Sequence, residues 1–162
     1  MNVVVNLLAI PAYTDRFRML CCLSERVDSL TILTDAYSGN VASLGLTYPR
    51  LKIVQLGRSG FRRKAFRWLE EAIEANRVDI VHDTFGILGP FFQVHGPIKK
   101  RRFRLITTQY TANLDWFRRV RRTEFDIGWT YTKQRVITHW RDRQICPMAD
   151  RVMVLGPGHE RA

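Results

Sequence analysis

The chain has 162 residues, 46% hydrophobic and 11% aromatic, with 26 Lys and Arg against 15 Asp and Glu for a net charge of +11. These values fit one globular domain with a substantial core and exclude wholesale disorder. Three cysteines (Cys21, Cys22, Cys146) make neither a disulfide framework nor a zinc site, which favours a reducing compartment, while the positive charge predicts an anionic partner: nucleic acid, acidic lipid or phosphorylated substrate.

In chain order, the apolar amino terminus is short and lacks a basic leader, so Val3–Ile10 is expected to be a first buried strand and not a signal peptide. No run approaches the roughly 20 apolar residues that cross a bilayer. Pro11 ends the strand, and Thr14 or Asp15 can cap a helix with apolar Phe17, Leu20, Cys21 and Leu23 at helical spacing. The adjacent cysteines are expected on its buried face as core residues, not nucleophiles. Leu30–Thr34 predicts a second strand, closed by the polar turn Asp35–Asn40. Leu51–Leu56 alternates like a strand nearer an edge.

Phe61–Asn76 carries the clearest helical period. Phe61, Ala65, Leu69, Ala72 and Ile73 share one face, while Arg62, Arg63, Lys64 and Arg67 fall largely on others. Val78–His82 predicts a short buried strand, followed by Gly/Pro-punctuated residues 85–97 with a short helix. The basic run Lys99–Arg102 precedes a strand at Arg104–Gln109. Residues 110–129 predict a long arginine-rich loop. Residues 131–145 predict a helix with Val136, Ile137 and Trp140 inward, which Pro147 ends before the last strand, Arg151–Leu155.

Strands alternating with helices predict an α/β, Rossmann-like three-layer domain with a mostly parallel sheet. Without internal repeat or linker, residues 1–162 read as one domain. A chain that closes on a strand and a Gly/Pro turn reads as the amino-terminal half of a two-domain protein.

Ligands of open parallel sheets bind beyond the carboxyl ends of the strands. The first such turn, Ala9 to Asp15, has no glycine to let a pyrophosphate approach, which argues against NAD or FAD; no Walker-type loop is present. No GxSxG, HExxH or metal-ligand cluster appears, so no metal is expected. His82-Asp83 could form an acid/base pair; the alternative has Asp83 capping the next helix and His82 as a core or rim residue. Residues 61–68 and 116–122 interleave cations with aromatics, as at an anionic membrane surface, on single-stranded nucleic acid, or on a solvated face whose aromatics point inward; the last reading is favoured for Phe61 and Trp68 and the first two for 116–122.

Taken in order, Leu30–Asp35, Val78-Asp79-Ile80-Val81-His82, Leu105–Thr108 and Ala149-Asp150-Arg151-Val152-Met153-Val154 resemble the amino-terminal domain of GT-B glycosyltransferases of the family 4 type. The resemblance spans nearly the whole chain. It implies an acceptor-side domain, inactive alone. The nucleotide-sugar donor would sit in a second, carboxyl-terminal domain on the same or a separate chain, with no cofactor in this one. Asp83 and Gln109 take the catalytic positions, and Thr84, Tyr110 and Asn113 line the acceptor site. Arg118, Arg119, Arg121 and Arg122 would contact an anionic membrane surface or a phosphorylated acceptor, with nucleic acid ranked below these. The implied location is cytoplasmic, peripheral at the inner membrane face. Two departures stand out: residues 11–15 are not the family's glycine-rich loop, and Gln109 replaces a frequent histidine. The rival expectations are a non-enzymatic basic binding domain for nucleic acid or anionic partners, and a degenerate regulatory copy of the transferase domain.

Overall fold

The computed structural model describes residues 1–7, 15–84, 102–109 and 146–154, together with the helical positions Val136 and Arg143. Six strands form one sheet: β1 (Asn2–Asn6), β2 (Ser29–Thr34), β3 (Leu51–Gln55), β4 (Ile80–Asp83), β5 (Arg104–Gln109) and β6 (Arg151–Val154). Their order is β3-β2-β1-β4-β5-β6, and every pair is parallel. From β1 the chain builds outward to β3, then returns past β1 to begin β4. The direction therefore reverses between β1 and β4. The fold is the expected Rossmann-like α/β domain.

Three helices are described between these strands: α1 (Asp15–Ser24), α2 (Val41–Thr47) and α3 (Phe61–Glu74). Side chains alternate across the sheet, so two cores form. On one face Val3, Val5, Leu30, Ile32 and Ile53 pack under Phe17, Leu20 and Cys21 of α1, with Leu44 of α2 joining. On the other, Val4, Leu33, Val81 and Leu105 pack under Phe61, Ala65, Leu69 and Ala72 of α3. The fully buried branched residues of β1 and β2 explain why the central run holds a strand: stiff β-branched and apolar side chains suit a two-sided interior.

At the amino edge the same device recurs three times. Asp79 donates its amide to the Asn2 carbonyl at 2.9 Å and accepts the Asn2 amide on its carboxylate at 2.6 Å. Asp150 does this with Leu105, at 2.8 and 2.7 Å. Asp28 does it with Met1, whose amino terminus meets the Asp28 carboxylate. Each aspartate precedes its strand; Asp79 and Asp150 satisfy a main-chain amide of the neighbouring strand and Asp28 holds the amino terminus just before β1, setting register where the ladder begins. The Asp79 and Asp150 motifs that carried the family resemblance are, in this chain, strand clamps.

Several expectations need correction. The first strand ends at Asn6 rather than Ile10: Leu7 is already outside it, though its amide still reaches the Leu33 carbonyl at 2.9 Å, and residues 8–10 lie outside the described ones. Helix α2 was not anticipated. Cys21 is buried but Cys22 is exposed, because adjacent helical residues point about 100° apart. For the same reason Leu23 sits at the margin of the buried stripe and is partly exposed. Val136 is helical but 62% exposed, so the inward stripe of its helix is not centred there; Ile137 and Trp140 lie outside the described residues.

Candidate functional site

At the carboxyl edge, beside the reversal of strand order, a buried polar network joins β1, β4 and β5. Asn6 donates its side-chain amide to Asp83 Oδ1 at 2.7 Å, and its Oδ1 accepts the Thr84 amide at 2.8 Å. The Thr84 hydroxyl donates to the Asn6 carbonyl at 2.6 Å, and the Thr107 hydroxyl donates to the Asp83 carbonyl at 3.3 Å. Asn6 and Asp83 are entirely buried, and Thr84 and Thr107 nearly so. Register explains the meeting, since Asn6 pairs with Asp83 and Asp83 with Thr107. Side chains directly opposite in a parallel ladder share a face.

Asp83 therefore meets Asn6 and not solvent, and in this arrangement it shapes the edge from beneath. The His82-Asp83 acid/base pairing fails on geometry, because successive strand residues face opposite sides. His82 instead has its Nε2 2.7 Å from Thr108 Oγ1, on the α1 face. Thr84 lies in the network just described. Gln109 ends β5, so Asp83, Thr84 and Gln109 share one edge of neighbouring strands. Tyr110, Asn113, Arg118, Arg119, Arg121 and Arg122 lie outside the described residues, as do His95 and His139. Among the described residues no cluster of His, Cys, Asp or Glu is arranged to hold a metal.

A second feature of this edge is the start of α3. The helix begins after Gly60, whose φ of 67° is left-handed backbone that glycine tolerates, and no side chain caps its first amides. Its first two turns carry exposed Arg62, Arg63, Lys64 and Arg67, and no acid occupies the first turn. Lys64 donates to the Leu56 carbonyl at 2.7 Å, and nearby Arg58 approaches Asp35 at 3.7 Å. The acids Glu70, Glu71 and Glu74 fall in the last turns. This polarity opposes the helix dipole, which favours anions at the amino end and cations at the carboxyl end.

The chain matches no family model, no curated protein and no solved structure. Assignment of this edge therefore rests on its own chemistry.

Asn6 and Thr108 are the residues that sequence reasoning passed over. An asparagine directly after Val3-Val4-Val5 was the available signal: a polar side chain inside an apolar strand requires a buried partner.

Proposed function

We propose that this chain is the acceptor-side domain of a nucleotide-sugar-dependent glycosyltransferase of the GT-B type. The observation that supports this reading is the all-parallel sheet whose order reverses between β1 and β4, with Asp83, Thr84 and Gln109 together at the carboxyl edge beside the reversal. Such reversals open a crevice between the outgoing loops. In this reading Asp83 is a positioning residue: through Asn6 it holds the end of β4 and the Thr84 amide. Gln109 can donate a hydrogen bond to a sugar oxygen but cannot carry a proton, so proton transfer falls to the second domain or to the acceptor itself. A phosphorylated or lipid-borne acceptor would meet Arg118, Arg119, Arg121 and Arg122 at the inner membrane face. Among the described residues no helix is long and apolar enough to cross a membrane.

The test is a titration of the labelled chain with sugar phosphates, followed through backbone amide resonances. The expected shifts fall at Thr84, Thr108 and Gln109. Shifts confined to the opposite edge, around Asp79 and Asp150, would remove the proposal.

The cationic start of α3 favours a second reading, a non-enzymatic binder of polyanions. It predicts binding to single-stranded RNA that stays tight near physiological salt and depends on Arg62 and Arg63. Binding that vanishes by that salt concentration counts against it.

A further inference from the structure

On the α1 face, away from Asp83, the sheet floors a cavity of about 460 Å³. Val3, Val5, Ile80 and Ile106 form the floor, and Leu20 stands in one wall. The exposed side chains of Met19 (59%) and Met153 (43%) stand at its rim. Along β1 and just past its end, from Val3 to Leu7, the floor runs roughly 13 Å at about 3.3 Å per residue, and across the sheet it reaches Met153 of β6. No Asp, Glu, Lys or Arg is among its described lining residues.

The polar side chains of that lining lie toward the carboxyl end, where His82, Thr84 and Thr108 meet the cavity. His82 Nε2 and Thr108 Oγ1 are 2.7 Å apart. A hydroxyl has one donor and two acceptor sites. Whichever of the two donates in that bond, Thr108 keeps the capacity for another hydrogen bond. A half-open apolar volume of this size with one polar end has the make-up of a small-molecule site.

We propose that this cavity binds an uncharged apolar amphiphile, such as an acyl or isoprenoid alcohol, whose terminal oxygen meets Thr108 and His82. Among the described lining residues the one charged group is the Met1 amino terminus, which already meets the Asp28 carboxylate, so a charged head is expected to stay outside the rim. The site lies on the opposite face from the Asn6 and Asp83 side chains, with Thr84 common to it and their network, and it stands whether or not the chain serves a sugar transferase.

The test uses straight-chain primary alcohols from hexanol to tetradecanol against the full chain, read by calorimetry and thermal unfolding. Affinity should rise about fourfold per added methylene and then stop rising once the cavity is full. Met153→Trp at the rim and Ile106→Phe on the floor should each weaken decanol binding at least about tenfold, a loss of ~1.4 kcal/mol. Thr108→Val should abolish the preference for an alcohol over the matching alkane. Because Met153 is exposed, its variant keeps the test valid if Ile106→Phe does not fold. Affinity that climbs with no length limit, equal binding by wild type and Met153→Trp, or no binding at all would each overturn the proposal. Vesicles of uncharged phosphatidylcholine separate the sources. Retention of wild type but not Met153→Trp identifies a bilayer tail; no retention of either, with decanol still bound, identifies a free amphiphile.

Discussion

The side-chain amide of Asn6 donates to Asp83 across 2.7 Å, joining the ends of the two strands between which the sheet reverses its order. Both residues are fully buried. Asn6 also accepts the Thr84 amide, so one side chain satisfies a carboxyl oxygen and a main-chain donor at once. The candidate edge is thus tied together beneath by buried hydrogen bonds.

Asn6→Ala should destabilise the domain by about 2–3 kcal/mol, because it removes the amide's bond to the buried Asp83 carboxyl and takes away the acceptor of the buried Thr84 amide. Urea unfolding measures it through the transition midpoint. A loss within ~0.5 kcal/mol, the range typical of neutral surface changes, would show that water replaces the amide and that the network is not structural.

The amino-edge clamps make a local prediction. Asp150→Ala leaves the Leu105 amide without its carboxylate acceptor and should cost about 1–2 kcal/mol. Hydrogen exchange at Leu105 should accelerate, while the Asn2 amide, held by Asp79, keeps its rate. Acceleration spread evenly over the sheet would mean a global loss rather than a clamp.

How much of this was legible in the sequence depended on the range of the interaction. The second, third and fifth strands and α3 follow from patterns contained within each element, as with Phe61, Ala65 and Leu69 on one helical stripe. Helix α2 was hidden because its seven residues, Val-Ala-Ser-Leu-Gly-Leu-Thr, are too few to show a period and include Gly45. The role of Asn6 was hidden for another reason. Its partner lies 77 positions away, and only the parallel register brings them together.

The adjacent cysteines should separate chemically. Burial, and secondarily the neighbouring Cys22, push the Cys21 thiol above its ordinary value, so its thiolate is scarce at neutral pH; Cys22 is exposed. Iodoacetamide should label Cys22 readily and Cys21 only on unfolding, which peptide mapping distinguishes. The same shift has a sign for stability. The unfolded thiol ionises first, so the contribution of neutral Cys21 is full below the ordinary thiol range and is lost as pH rises toward its raised value. Burial raises Tyr37 as well, and its phenol acts in the same direction. Unfolding midpoints should fall above about pH 9, and Cys21→Ala should flatten that slope.

The start of α3 sets stability against binding. Arg62 and Arg63 are exposed cations at the positive end of the helix dipole, and among the described residues neither has an ion-pair partner. Replacing either with glutamate removes a repulsion and adds an attraction, which should stabilise the domain by about 0.3–1 kcal/mol at low salt. A solvated face with no ion-pair partner among the described residues gives no reason for the unfavourable sign at both sites, whereas a surface that meets an anion does. The double variant Arg62→Glu/Arg63→Glu should therefore unfold at higher temperature and bind a polyanion such as heparin more weakly, with the binding difference shrinking as salt rises. Higher stability with unchanged heparin affinity would mean that anions bind elsewhere on the chain. Unchanged stability would mean that the helix start is already screened, and the reversed polarity would then say nothing about a ligand.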